Sequence, residues 1–182
     1  MNPAASKPLT TIHRAPTSAQ TSEQRELEDN IPKHLPFSLK FSTQKEKLFR
    51  DLENEKWVRD LEMEIKNTGD KPIYFIQFAL LPDFGKAPGD RSLGLTIQYG
   101  RDELAPFETA TAEDVPVKPG ETGLMRVREM EVQGWDWIKK KEHWPEQWSR
   151  PKKVSLYFQE LHFGDGTGFL NGGGEPHKRS TN

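Results

Sequence analysis

The chain has 182 residues, of which 33% are hydrophobic and 30% are charged, and its formal net charge is −2. This length suits one domain, and the near-neutral charge argues against a general attraction to nucleic acid. The sequence contains no cysteine, which excludes a disulfide framework and thiol chemistry. No stretch reaches the roughly 18 consecutive apolar residues of a membrane-spanning helix, and the N-terminus lacks the apolar core of a signal peptide.

Large apolar residues are concentrated in the middle of the chain. Residues 1–35 are mostly Thr, Ser, Pro, Gln, Glu and Lys, and residues 171–182 are polar and rich in Gly. Such segments bury too little apolar surface to offset an ordering entropy of roughly 1–2 kcal/mol per residue. We therefore predict a disordered N-terminal segment over 1–35, a folded domain over 36–170 and a flexible tail over 171–182.

Alternation of apolar and polar residues predicts the first strands of this domain. Phe37, Leu39 and Phe41 alternate with polar residues over 36–42, which is typical of a half-buried strand. Charged residues then dominate 43–57, where the sequence permits either a helical turn or an irregular connection.

The next two strands are predicted over 61–66 and 73–81. The first alternates, whereas the second is a continuous apolar run that is typical of a strand buried on both faces. Because turn-forming residues occupy 67–71, we expect these two strands to form a hairpin. A fourth strand is predicted over 93–99.

The second half of the domain contains the only strongly helical pattern. Val132, Trp135 and Ile138 recur at three-residue spacing within a predicted helix over 129–142. Strands are predicted over 122–127 and 153–163, with a short return strand beginning at Phe169. The predicted fold class is all-β, an antiparallel β-sandwich of six to seven strands with one inserted Trp-rich helix.

Three segments resemble the immunoglobulin-like or fibronectin-like accessory domains of exported bacterial proteins: LEMEIKNTGDKPIYFIQFALL, VPVKPGET and VSLYFQELHFGDGTGF. The run FRDLENEKWVRDLEMEIKNTGDKPIYF, together with FGDGTGF, is similar to an uncharacterised family of small proteins from Acidobacteria-like bacteria. The resemblance covers residues 32–170. It implies an immunoglobulin-like sandwich and an extracytoplasmic location, and it implies no activity.

Four of the five tryptophans lie between residues 135 and 148. If exposed, Trp137, Trp144 and Trp148 would bind a partner protein or stack on sugar rings. Alternatively, the helix closes an open end of the sandwich, with Trp135 and Ile138 in the core. The basic residues of 139–153 permit a polyanion-binding patch or an ordinary solvated face.

The loop over 164–168 (GDGTG) has the residues of a tight turn and few of those of a calcium site. Asp165 is a weak metal candidate, and it would need an acid from another loop such as Asp83 or Asp90. The five histidines are not spaced as metal pairs. Nucleophile-elbow, phosphate-loop and dinucleotide motifs are absent from the sequence.

These patterns predict a non-enzymatic binding or structural module that needs no cofactor, and the resemblance implies that it is bacterial and exported. Its partner would be a protein or a glycan, with no nucleic acid involved, and self-association remains open. An extended N-terminal segment could add to the sheet edge of another copy, although a flexible tether is the simpler interpretation. The alternatives are a glycan-binding sandwich that uses exposed Trp residues and a hydrolase that uses the carboxylates of Asp83, Asp90 and Asp165.

Overall fold

The computed structural model describes residues 23–84, 93–104, 108–141 and 150–179. Within these ranges the chain forms nine strands and three α-helices, together with a 3-10 turn at Asp102–Leu104. The strands and helices are β1 (Glu26–Asp29), β2 (Phe37–Phe41), α1 (Lys45–Arg50), α2 (Trp57–Asp60), β3 (Glu62–Asn67), β4 (Phe75–Pro82), β5 (Leu95–Tyr99), β6 (Thr122–Val127), α3 (Glu129–Lys141), β7 (Lys153–His162), β8 (Thr167–Leu170) and β9 (Glu175–Lys178).

The strands form one continuous sheet that curls on itself. Eight of them follow the order β2-β3-β6-β5-β4-β7-β8-β9 with antiparallel pairing, and β1 pairs in parallel with β7. Phe37, in the end strand β2, packs its ring 5.6 Å from that of Phe78 in β4 and 6.2 Å from that of Phe158 in β7. Because β5 and β6 share only two residue pairs, the sheet bends there. The fold is therefore mostly β and antiparallel, as predicted.

The core lies inside the curl of the sheet. In β3 the buried Met63 and Ile65 alternate with half-buried Glu62 and Glu64, as the period of two requires. The apolar run of β4 is buried on both faces only at its start, because from Gln77 onward buried and half-buried residues alternate. The expectation of a strand buried along its whole length is therefore corrected.

The predicted hairpin between β3 and β4 is wrong. Strand β3 pairs with β2 and β6, whereas β4 pairs with β5 and β7. The chain therefore leaves β3 and enters the sheet again at a different place. Asn67 organises this crossing, since its buried amide donates hydrogen bonds to the carbonyl oxygens of Lys71 and Val117, both at 2.8 Å. Ile73 then forms a bridge with Val117 instead of pairing back onto β3.

The folded unit is larger than the predicted limits of 36 and 170. Arg25 is fully buried and is followed by β1, and β9 pairs with β8 near the C-terminal end. The sequence did not indicate either strand, because β1 has a single apolar residue, Leu27, and β9 has no large apolar residue. The rest of the predicted disorder and tail, at 1–22 and 180–182, lies outside the described residues.

Candidate functional site

Helix α3 begins where β5 and β6 separate. Its acidic first turn suits the positive end of the helix dipole, and Glu131 accepts a hydrogen bond from the main-chain nitrogen of Thr96 in β5. Glu131 also accepts a hydrogen bond of 2.7 Å from Arg128. These contacts fix the start of the helix against the exposed part of the β5 edge.

The inner face of α3 packs into the core. Val132 and Trp135 are buried, and the Trp135 ring lies 5.7 Å from Trp57 and 5.9 Å from Phe84. Ile138 is half-buried. The helix therefore closes the core on this side, as one of the two interpretations of the Trp-rich segment proposed.

The outer face of α3 presents two large apolar side chains to solvent. Met130 is 69% exposed and Trp137 is 57% exposed. They are seven residues apart, and residues at that spacing share one face of a helix. Gly134 lies between them, and a β-carbon placed there would meet nothing within 4 Å. We call Met130, Gly134 and Trp137 the α3 face.

A groove of about 420 Å³ lies between α2 and α3, on the side of α3 that carries Val132, Trp135 and Asp136, and the residues of the α3 face do not line it. Arg59 spans this region, with contacts of 3.3 Å to Glu129 and 3.4 Å to Asp136. The charge of Glu129 and the hydrogen bonds that Arg59 donates to both acids raise the pKa of Arg59. The groove is thus lined by apolar and charged side chains, and its Arg59 is paired with acids of α3.

Of the three tryptophans predicted to bind a ligand, the structure places only Trp137. It is exposed on the α3 face, and Trp144 and Trp148 lie outside the described residues. Met130 and Gly134 were missed by the sequence analysis. The seven-residue spacing from Met130 to Trp137 and the four-residue spacing from Met130 to Gly134 were the available signal, but the prediction used only the aromatic residues.

The basic residues that follow α3 are mostly compensated by acids. Arg150 contacts Glu53 and Glu55 at 2.6 and 3.3 Å, and Lys152 contacts Glu23 at 2.6 Å. Lys153 contacts Glu28 at 2.8 Å. These pairs favour the ordinary solvated face over a polyanion-binding patch.

Asp165 and Asp83, the two candidate metal or hydrolase carboxylates among the described residues, lie far apart. Asp165 accepts hydrogen bonds from Lys71 at 2.8 Å and from Thr167; burial alone would raise its pKa, but these bonds outweigh it and lower the pKa to about 2. Asp83 lies at the other end of β4 and β7, and the length of β4 corresponds to about 25 Å. Asp90 lies outside the described residues, within which no group of three potential metal ligands occurs.

His162, on the final long strand, is buried and held by two hydrogen-bond acceptors. Its Nδ1 donates to the carbonyl oxygen of Leu104, and its Nε2 lies 3.0 Å from Oε2 of Glu160. The imidazole therefore joins the 3-10 turn to β7, a structural role.

A wider depression of about 710 Å³ lies beside Tyr74 and Tyr99. Its buried carboxylate, Asp114, is 2.6 Å from Arg101 and also accepts hydrogen bonds from Thr111. Arg101 and Asp114 therefore compensate each other's charge. This arrangement favours a structural ion pair over a site for a charged ligand.

Comparisons of the chain with protein-family models, curated proteins and solved structures found no match. In the part of the chain that the structure describes, no helix has the length and apolar character needed to cross a membrane.

Proposed function

We propose that this chain is a non-enzymatic binding module that binds a partner protein through the α3 face. The observation that supports this is the exposure of both Met130 and Trp137 on the outer side of a helix whose inner side is buried. Trp is enriched among the residues that dominate binding energy, and exposed apolar patches on otherwise polar surfaces mark interaction sites.

The support of α3 by the core favours binding. Val132 and Trp135 hold the helix from within, and the contacts of Arg59 hold it from α2. A surface that is already ordered loses less conformational entropy on association than a flexible one. At Gly134 the absence of a side chain leaves space between Met130 and Trp137 for an apolar side chain of the partner.

We propose further that the fold is an immunoglobulin-like sandwich with one facing layer of β2, β3 and β6 and another of β5, β4, β7, β8 and β9. The strand order supports this proposal, since the chain passes between the layers at β3–β4, β5–β6 and β6–β7. Such crossings are typical of Greek-key sandwiches. The likeness to domains of exported bacterial proteins supports a bacterial, exported protein.

A glycan is the competing ligand. Sugar-binding platforms stack rings on exposed aromatic side chains, and Trp137 alone supplies such a ring on the described part of α3. The other exposed aromatic residue, Tyr157, lies on β7. A protein partner that also contacts Met130 accounts for more of the exposed surface.

The proposal is tested by affinity capture from native cell extract, with quantification of every protein bound by the wild type and by variants. Trp137→Ala removes the exposed ring, and Leu124→Ala is the matched control, because Leu124 is an exposed apolar residue of β6. We expect a protein that is retained by the wild type and by Leu124→Ala and lost with Trp137→Ala.

Binding of the labelled wild type to a glycan array, lost with Trp137→Ala, would instead support the glycan alternative. Capture that is equal for all three proteins, with no glycan bound, would contradict a binding role for the α3 face.

A further inference from the structure

The side-chain sulfur of this chain belongs to methionine alone. The sequence holds four methionines and no cysteine, so no thiol competes with the thioethers for an oxidant. Met63 and Met125 are paired directly across β3 and β6, and they are 2% and 0% exposed. Both side chains therefore lie inside the core, and Met1 lies outside the described residues.

Met130 differs from these two methionines in its surroundings. Its side chain is 69% exposed, and it lies in the first turn of α3, on the α3 face. The carboxylates of the two adjacent residues are engaged with other groups, Glu129 with Arg59 at 3.3 Å and Glu131 with Arg128 at 2.7 Å. Small solutes therefore reach the side chain of Met130 and do not reach the two methionines of the core.

We propose that Met130 is a site of reversible oxidation by hydrogen peroxide, and that its sulfoxide weakens the binding of a partner to the α3 face. The sulfur lone pair attacks one peroxide oxygen, an S–O bond forms and the O–O bond breaks. The departing hydroxide takes up the proton of the transferred oxygen and leaves as water. The sulfur loses two electrons and the peroxide gains them.

Both directions of this chemistry suit the position of Met130. Hydrogen peroxide carries no charge, so the acids beside Met130 do not repel it. Methionine sulfoxide reductases reverse the reaction with a dithiol, because the oxygen leaves as water and the dithiol becomes a disulfide. The exposure that admits the peroxide also leaves the sulfoxide open to such an enzyme.

The effect on binding rests on the proposed function. The thioether is apolar, whereas the sulfoxide is polar and is solvated by water. A partner that covers Met130 must remove this water, and burying a polar group without a new hydrogen bond is costly. We expect oxidation to weaken binding roughly tenfold. By the same coupling, a bound partner should protect Met130 from peroxide.

Peptide mapping of the full chain by mass spectrometry tests the modification without any partner. The folded protein is treated with hydrogen peroxide for increasing times, and the sulfoxide fraction of each methionine is measured. We expect Met130 to convert at least roughly ten times as fast as Met63 and Met125. The matched control is the same chain in urea, where these three methionines should convert at similar rates. Similar rates in the folded protein would overturn the proposed site.

Titration with the captured partner, before and after peroxide treatment, measures the effect on binding. We expect the oxidised wild type to bind roughly tenfold more weakly than the untreated protein. Reduction by the two reductases, one for each sulfoxide epimer, should restore the affinity. Met130→Leu has an apolar side chain without sulfur, and its own untreated affinity is its reference. That affinity should not change on treatment, which separates Met130 from every other oxidised residue.

Two results distinguish failure of this proposal from failure of the proposed function. If Trp137→Ala loses the partner while the fully oxidised wild type binds it as tightly as before, the α3 face binds and the effect of oxidation is wrong. If capture does not depend on Trp137, the proposed function fails and the effect on binding fails with it. The peptide map still decides in that case whether Met130 is the oxidation site.

Discussion

The guanidinium carbon of Arg25 lies 4.8 Å from the centre of the Trp57 ring, and both side chains are fully buried. Burial lowers the pKa of Arg25 to about 10, while the charge of Asp51 acts in the opposite direction, so the side chain stays cationic at neutral pH. Trp57 also contacts Trp135 of α3. One aromatic ring thus joins the anchor of the N-terminal strand to the inner side of the proposed binding helix.

Replacement of this buried cation should destabilise the whole fold. Arg25→Met leaves an unbranched apolar side chain in place of the guanidinium. It removes the donors to the carbonyl oxygens of Phe49 and Pro151. We expect a loss of about 3 kcal/mol in the free energy of unfolding, because a buried polar group left without a partner costs roughly 1–3 kcal/mol. Urea denaturation followed by circular dichroism measures this loss.

The control for this substitution is Arg50→Met. Arg50 is partly exposed and pairs with Glu46 one turn away on α1, and such a surface pair contributes about 0.5 kcal/mol or less. Equal losses for the two variants would show that the Arg25 anchor contributes no more than a surface ion pair.

Two glycines with positive φ should respond differently to alanine. At Gly100, φ is 91° and an added β-carbon would lie 2.3 Å from the carbonyl oxygen of Tyr74; at Gly120, φ is 80° and nothing lies within 4 Å. We expect Gly120→Ala to cost about 1 kcal/mol through the left-handed conformation alone. Gly100→Ala should cost clearly more in the same urea titration, and similar costs would contradict the close approach of Tyr74.

Stability should fall in acid. Hydrogen bonds from Lys153 and then Ser155 lower the pKa of Glu28 to about 2, and those from Arg101 and then Thr111 do the same for Asp114. A carboxyl group whose pKa is lower in the folded state stabilises the fold above its unfolded pKa. That contribution is lost as the pH falls through the folded pKa, here between about pH 5 and pH 2.

Thermal unfolding at several pH values measures this dependence. We expect the midpoint of the wild type to change little from pH 7 to pH 5 and to fall steeply below it. Asp114→Asn should be less stable at pH 7 and should lose less on acidification. An equally steep fall in that variant would mean that Asp114 is not responsible.

Gly134→Ala separates stability from binding. A β-carbon at this position meets nothing within 4 Å, and alanine is favoured over glycine inside a helix by about 1 kcal/mol. We expect a more stable protein in urea titration, with weaker partner binding because the added methyl group fills the space between Met130 and Trp137. Unchanged binding in the stabilised variant would show that the partner does not use this space.

Local patterns in the sequence predicted much of the secondary structure. The alternation around Phe37 and the strand over 122–127 correspond to β2 and β6, and the helix that contains Val132 and Trp135 is α3. These elements bury one face, so their period is visible in the residues themselves. The antiparallel all-β class followed from the number of such elements and the turns between them.

Features that depend on distant residues were not predictable in this way. After Asn67 the chain turns away from β3 instead of pairing back onto it, and the Asn67 amide is hydrogen-bonded to Val117, fifty positions away. Strand β1 is held by the burial of Arg25 among carbonyl groups and rings from other segments. In the sequence alone, polar residues with such distant partners cannot be distinguished from residues of a disordered tail.

The dissociation constant of the captured partner measures directly whether the α3 face binds it. Isothermal titration of the wild type, Trp137→Ala, Met130→Ala and Leu124→Ala gives the four values. We expect Trp137→Ala to weaken binding roughly 30-fold, about 2 kcal/mol, and Met130→Ala to weaken it to a smaller degree, with Leu124→Ala unchanged. Dissociation constants for Trp137→Ala and Met130→Ala equal to that of the wild type would contradict binding through the α3 face.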